Sequence, residues 1–302
     1  MKPQHPLPYV GSTTVCEDQP IAFPPQHQSH QPGLESLMSP RPISEDPAYR
    51  GSGKLENRVA IVTGGDSGIG KATAIAFAKE GADLVIPYLY ETSDAELVKQ
   101  RIEQLGRRCI LIKIDLRYKQ NCERVVQETI SCFGRIDVLV NNHAVQYVQH
   151  NILDITEEQL HHTFQTNIFP FFFMIQAALP HMKPGASIIN TASITAYAGF
   201  KELIDYSSTK GAIVSLTRSL ALSLVEQGIR VNSVSPGPVW TPLIPSSFAA
   251  EDVAVFGTDS PMKRAAQPYE LAPAYVYLAS HIDSAYVTGQ SIHVNGGQMV
   301  TT

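Results

Sequence analysis

Tyr206 and Lys210 stand four residues apart, a spacing that on a helix brings both side chains to one face and the ammonium within reach of the phenol. A phenol is a poor acid or base at neutral pH. Its pKa is about 10, and bringing it to about 7 requires roughly 4 kcal/mol of preferential stabilisation of the phenolate. A fixed cation nearby supplies that directly, so the pair points to proton transfer. Upstream, Ser193 offers a hydroxyl able to stabilise charge developing on an oxygen. Much earlier, residues 63–70 read Thr-Gly-Gly-Asp-Ser-Gly-Ile-Gly. In that turn Gly64 permits the tight reversal, while Gly68 and Gly70 let backbone and helix approach a pyrophosphate seated on a helix N-terminus.

Elements at matching places must position these groups. The apolar run 58–63 reads as a buried strand leading into the glycine turn, and 69–79 as the helix it opens. Further strands are expected at 83–88, 108–113, 136–141, 186–191, 229–234 and 291–294. Helices are expected near 93–105, 119–133, 156–182, 205–227 and 268–280, and the apolar cluster 168–175 reads as buried helix. Continuous apolar strands alternating with helices imply an α/β fold: a doubly wound parallel sheet covered on both faces, in a single domain over 55–302. Residues 1–54 hold ten of the 21 prolines and little apolar periodicity. They form either a flexible tail or an arm lying over the body or a neighbouring subunit, with the apolar residues of 33–38 as its anchor.

A formal net charge of −5 and a pI near 6.1 provide no basic field for nucleic acid or an anionic membrane. The N-terminal residues lack the apolar core of a secretory signal, and no stretch is long enough to span a bilayer. Cys16, Cys109, Cys122 and Cys132 form no metal-ligand or disulfide pattern, and reduced thiols fit a cytoplasmic protein. His161, His162 and the His-rich arm read as solvated polar residues, with no metal site.

With these motifs in order, residues 55–299 resemble the short-chain dehydrogenase/reductase family, whose domain is of the Rossmann type. The proline-rich arm and 240–247 resemble its N-terminally extended bacterial subgroup, described as general stress, glucose/ribitol dehydrogenase-like or aldehyde reductase-like proteins. The resemblance implies a catalytic set of Asn167, Ser193, Tyr206 and Lys210. It implies a nicotinamide dinucleotide held by Gly64, Asp66, Ser67, Gly68, Ile69, Gly70, Tyr88, Asp115, Leu116, Asn141, Tyr206, Lys210, Pro236, Gly237, Val239 and Thr241. Tyr206 would exchange a proton with the substrate oxygen, Lys210 would lower the Tyr206 pKa and bond the nicotinamide ribose, and Asn167 would hold a relay water. A homotetramer is the family habit, with the helices near 156–182 and 205–227 at the interface.

His143 and Ala144 depart from the family's Asn-Asn-Ala-Gly pattern at 141–144, and His143 reads as a packed or hydrogen-bonded residue rather than a catalyst. At the end of the second strand, 88–91 carries no Arg for the 2′-phosphate of NADP and no Asp at the position of strict NAD binders; Asp66 would repel a phosphate. These residues favour NAD(H) over NADP(H). The expected substrate walls, 146–152, 194–203 and 241–262, offer Tyr147, Ile194, Tyr197, Phe200, Leu243 and Phe248, compatible with a small aldehyde, ketone, sugar or polyol. A reading from another class is a dinucleotide-binding sensor or scaffold whose arm docks a partner.

Overall fold

A run such as Val-Ala-Ile-Val has no polar side and is stable only with both faces covered. It forms β1 (Val59–Val62), where Ala60 and Val62 join one core layer and Ile61 the other. The same alternation splits Leu84 and Ile86 from Val85 in β2 (Asp83–Tyr88). The computed structural model describes residues 12–14 and 18–300, with 12–14 and 18 described by backbone alone. Further strands are β3 (Cys109–Lys113), β4 (Ile136–Asn141), β5 (Met182–Thr191), β6 (Arg230–Pro236) and β7 (Ser291–Val294).

All seven pair in parallel in the order β3-β2-β1-β4-β5-β6-β7. The order of building reverses between β1 and β4, which opens a crevice above their C-terminal ends. Helices α1 (Gly68–Lys79), α2 (Thr92–Gln104) and α7 (Ala272–Ala279) pack on one face. On the other lie α3 (Lys119–Phe133), α5 (Phe169–Ala178) and α6 (Ile204–Leu224).

One helix was expected over 156–182. The chain instead forms α4 (Glu157–Asn167) and α5, broken at Ile168 with φ −120° and ψ −53°. The cause is local: Pro170 has no N–H for the carbonyl of Thr166, and Phe171 N donates to Ile168 O (3.1 Å). The carbonyls of Thr166 and Asn167 are thereby left without helical partners. The apolar cluster also divides, with Phe171, Met174 and Ile175 buried but Phe169 and Phe172 about half exposed. β5 begins at Met182 rather than at 186.

Residues 19–54 lie against the body. Phe23 stacks on Trp240 with ring centroids 3.7 Å apart and planes 7° from parallel, and Trp240 Nε1 donates to Pro40 O at 2.9 Å. Farther along, Glu45 pairs with Lys79 (2.8 Å) and Arg101 (2.7 Å). Within 33–38 the anchors are Met38 and the carboxylate of Glu35, whereas Leu37 is exposed. Glu35 accepts from Gly68 N (3.0 Å) and pairs with Lys71 (2.5 Å), so a charged residue fixes the arm alongside the expected apolar anchor, Met38.

The chain's single Trp reports on this docking. Phe23→Ala removes a fully buried ring and is expected to cost about 3–5 kcal/mol. Denaturant unfolding followed by Trp emission should register the loss, with a red-shifted native spectrum as water reaches Trp240.

Candidate active site

The glycine turn leaves no room for side chains. A Cβ on Gly70 would lie 2.0 Å from Gly64 O, and Gly64 and Gly68 take φ of +62° and +51°. Gly70 is therefore structural, drawing α1 against the turn. Ser67, the N-cap of α1, makes no side-chain cap, and the first helical N–H, of Gly68, is taken by the arm's Glu35 (3.0 Å), which leaves the rest of the helix start to an anion. From this turn a cavity of about 950 Å³ runs across the sheet's C-terminal edge, a size at the upper end for small-molecule sites. Gly64, Asp66, Ser67, Gly68, Ile69, Tyr88, Asp115 and Leu116 line one part, and Pro236, Gly237, Val239 and Thr241 line another with Ser193, Tyr206 and Lys210. An anion cradle at one end and a proton-transfer set at the other fit a nicotinamide dinucleotide.

Asn141 does not reach this cavity. Its side chain, on β4, donates to Asn190 Oδ1 of β5 (3.0 Å), because strand alternation turns it into the sheet. The next residue takes the place: Asn142 Nδ2 donates to Thr63 O (3.2 Å) and Gly64 O (3.3 Å), and its backbone N donates to Thr63 Oγ1 (2.8 Å). The repeated Asn was the only signal. His143 is half-buried and lines the cavity, with Nδ1 2.9 Å from Thr63 Oγ1. Burial, then Lys210, pushes its pKa down to about 4, so the imidazole stays neutral and structural.

Asn167 also lies outside the cavity lining. Its Oδ1 accepts from Val145 N (2.8 Å), and its Nδ2 donates to Val145 O (2.9 Å) and Thr209 Oγ1 (3.2 Å). It thus ties the loop after β4 to the break between α4 and α5. On α6, Lys210 is 1 % exposed and donates to Thr191 O at 2.8 Å, with Nζ 5.4 Å from the Tyr206 ring centroid.

The expected lowering of the Tyr206 pKa by Lys210 is not found in this arrangement. Burial pushes Tyr206 up to about 12, and only a hydrogen bond with Ser193 pulls it down. Lys210 itself is pushed down to about 7 by burial, so it is only partly charged near neutrality. Desolvation outweighs attraction at both groups.

Asp115 is held by Arg117 through two close contacts, Nε to Oδ1 (3.1 Å) and Nη2 to Oδ2 (2.6 Å). Burial raises its pKa, but Arg117 outweighs this and keeps it a carboxylate below the usual range. Arg117 Nη1 also lies 3.1 Å from His162 Nδ1, so His162 lines the cavity instead of standing in solvent. Beside the second strand, Asp66, Glu91 and Asp94 are all buried. Burial, then Glu91, pushes Asp66 up to about 7. Of the expected substrate residues, Ile194, Phe200, Leu243 and Phe248 line the cavity. Tyr147 packs towards His162 (5.9 Å) and Tyr197 towards His293 (4.7 Å), outside that lining.

A family model described as Enoyl-(Acyl carrier protein) reductase matches residues 64–299. Among curated relatives, an uncharacterized oxidoreductase, YhxC, of Bacillus subtilis is 61 % identical over 92 % of this chain and 96 % of the relative. Glucose and ribitol dehydrogenase of Daucus carota is 52 % identical over 92 % of the chain and 97 % of the relative. The chloroplastic NADPH-dependent aldehyde reductase 1 of Arabidopsis thaliana is 50 % identical over 93 % and 99 %. Among solved structures, a short-chain dehydrogenase from Burkholderia cenocepacia in complex with NADP has TM-score 0.75 and 29 % identity, covering 81 % of this chain and 99 % of its own. A 3-ketoacyl-(acyl-carrier-protein) reductase from Brucella melitensis complexed with NADH has TM-score 0.73 and 30 % identity, covering 82 % and 100 %.

The buried lysine has a consequence for stability. Unfolded, Lys210 keeps its proton to about pH 10, whereas in the fold it loses it near pH 7. The unfolded chain binds more protons between these values, so this group's contribution to stability rises with pH across that window and its burial cost is greatest below it. Lys210→Met is expected to melt higher than the parent at pH 6, by a margin that shrinks towards pH 10. Calorimetry at both pH values tests this, and a variant melting lower at pH 6 would sink it.

Proposed function

Because the chain belongs to the short-chain dehydrogenase/reductase family, we propose that it uses NAD(H) to interconvert small aldehydes or ketones, including sugars, with alcohols or polyols through Tyr206. That it is an NAD(P)-dependent oxidoreductase follows from its family. One observation carries the assignment of residues: Ser193, Tyr206 and Lys210 line one cavity with the glycine turn.

In the reductive direction Tyr206 gives its phenol proton to the carbonyl oxygen. With a pKa near 12 it is protonated at neutral pH, as this direction requires. Ser193 donates a hydrogen bond to the same oxygen as negative charge builds on it. Hydride exchange is the chemistry a bound nicotinamide supplies. Lys210, poised near pH 7 with its Nζ 5.4 Å from the Tyr206 ring centroid, is placed to return a proton to the phenolate. The carbonyl of Asn167, freed from its helical partner at the break, suits a water that carries protons from solvent, and the Asn167 amide keeps that break in place.

The preference for NAD(H) rests on charge. A 2′-phosphate near Ser67 would face Asp66, Glu91, Asp94 and the arm's Glu35, with Lys71 already paired to Glu35. The Arabidopsis thaliana relative is an NADPH-dependent aldehyde reductase, so the preference in this chain depends on those carboxylates. The same reading takes the chain as a cytoplasmic homotetramer. Half-exposed Phe169 and Phe172 on α5 and exposed Leu222 on α6 offer apolar faces for subunits, and free Cys109, Cys122 and Cys132 suit a reducing compartment.

A panel of small aldehydes, ketones and polyols assayed with both cofactors tests the activity. Tyr206→Phe is expected to lower kcat/KM by roughly 10²–10⁴-fold while leaving NADH binding intact; retention of most turnover would remove Tyr206 from the chemistry. The parent should show a higher kcat/KM with NADH than with NADPH. Ser67→Arg should reverse that order by adding a cation for the phosphate, and equal use of both cofactors by the parent would refute the preference.

A further inference from the structure

Gln31, Pro32 and Gly33 of the N-terminal arm line the same cavity as Ser193 and Tyr206. Gln31 imitates a neighbouring strand: its Nε2 donates to Gln146 O (2.6 Å) and its Oε1 accepts from Gln146 N (3.1 Å). Gln146 is itself buried and donates from its amide to Ser247 Oγ (2.8 Å). One wall of the pocket, after β4, is thus tied to the arm and also to the other wall, after β6. The arm grips this second wall directly. Gln28 N donates to Pro245 O (2.7 Å), and His27 Nδ1 lies 2.9 Å from Phe248 O. Gly33 passes so close that a Cβ would lie 2.6 Å from Pro242 O. Beneath these contacts, Phe23 and Met38 of the arm share one apolar cluster with Leu203, Tyr206, Ile244 and Phe248.

We propose that the arm is a built-in wall of the substrate pocket, fastened by Gln31, and that it confines the enzyme to small free carbonyl and alcohol compounds while excluding long-chain or carrier-bound ones. A tethered or extended substrate needs a continuous gap between the two walls. That gap is bridged by the Gln146–Ser247 bond and flanked by residues 31–33. Gln31 is a positioning residue, since its amide spans the backbone N–H and carbonyl of Gln146 and acts on the pocket through that residue. The substrate class rests on the oxidoreductase reading; the wall itself does not.

Gln31→Ala is compared with Glu45→Ala, which loosens the arm at Lys79 and Arg101, outside the cavity. Hydrogen–deuterium exchange is measured over 145–149 and 243–248, and kinetics are measured on straight-chain aldehydes of increasing length. Gln31→Ala is expected to speed exchange in both segments. It should raise KM for the shortest aldehyde roughly tenfold, as two lost hydrogen bonds imply, leave kcat near that of the parent and improve relative use of the longest aldehyde. Glu45→Ala should do none of these. Unchanged exchange and an unchanged length profile in Gln31→Ala would overturn the proposal, as would the same changes in Glu45→Ala. A parent inactive on every carbonyl would refute the oxidoreductase reading and the substrate class resting on it, while exchange would still decide whether Gln31 fastens the wall.

Discussion

An ammonium sealed from water is the constraint around which this molecule is arranged. A buried lysine is tolerated only where a fixed acceptor meets it, and Lys210 has the carbonyl of Thr191 at 2.8 Å. That carbonyl must not move. β5 is paired on both sides, by β4 and β6, and the Thr191 hydroxyl lies 2.8 Å from the Tyr275 hydroxyl on α7. The same hydroxyl lies 3.3 Å from Asn142 Oδ1, and the Asn142 amide reaches the carbonyls of Thr63 and Gly64. One polar network therefore joins the lysine to the glycine turn. The sheet order makes this possible by setting β1, β4 and β5 side by side although they are remote in sequence.

The cavity is electrostatically divided. At the turn, Asp66, Glu91 and Asp94 crowd together in low dielectric, and Asp66 responds by holding its proton more tightly. At the far end no carboxylate among the described residues partners Lys210; its contact is a neutral carbonyl. Because the acidic groups sit with the turn, their repulsion does not reach the proton-transfer set as a partner charge. Glu35 extends the acidic end from outside the sheet, its backbone N donating to Asp94 (2.9 Å) and its carboxylate meeting the start of α1.

Features set by local spacing were legible in the sequence. The glycine turn depends on positive φ and missing Cβ atoms, which residue type alone encodes, and the Tyr206 to Lys210 spacing needs only a helix. Strands were readable for a similar reason, as runs such as 59–62 have no polar face to offer water. What escaped depends on contacts across the fold. Whether Asn141 or Asn142 faces the cavity turns on the last residue of β4, and the Ile168 break depends on where Pro170 falls in a helix otherwise continuous in pattern. Desolvation of Tyr206 and Lys210 is invisible until their surroundings exist, so the upward push of burial on the phenol could not be read from the spacing. The roles of Gln31 and Glu35 could not be read at all, since their partners lie 115 and 33 residues away.

The stacking of Phe23 on Trp240 also imposes an order on biosynthesis. The arm leaves the ribosome first, but Pro40 and Trp240 are 200 residues apart, and at about 5–20 residues per second the partner follows roughly 10–40 s later. Through that interval Phe23 and Met38 have no apolar surface of their own to occupy, and the high proline content of the segment keeps it extended and resistant to premature pairing. A nascent chain stalled before residue 240 therefore holds the arm but neither the ring on which Phe23 stacks nor Thr241, which packs against Gly68 of the glycine turn.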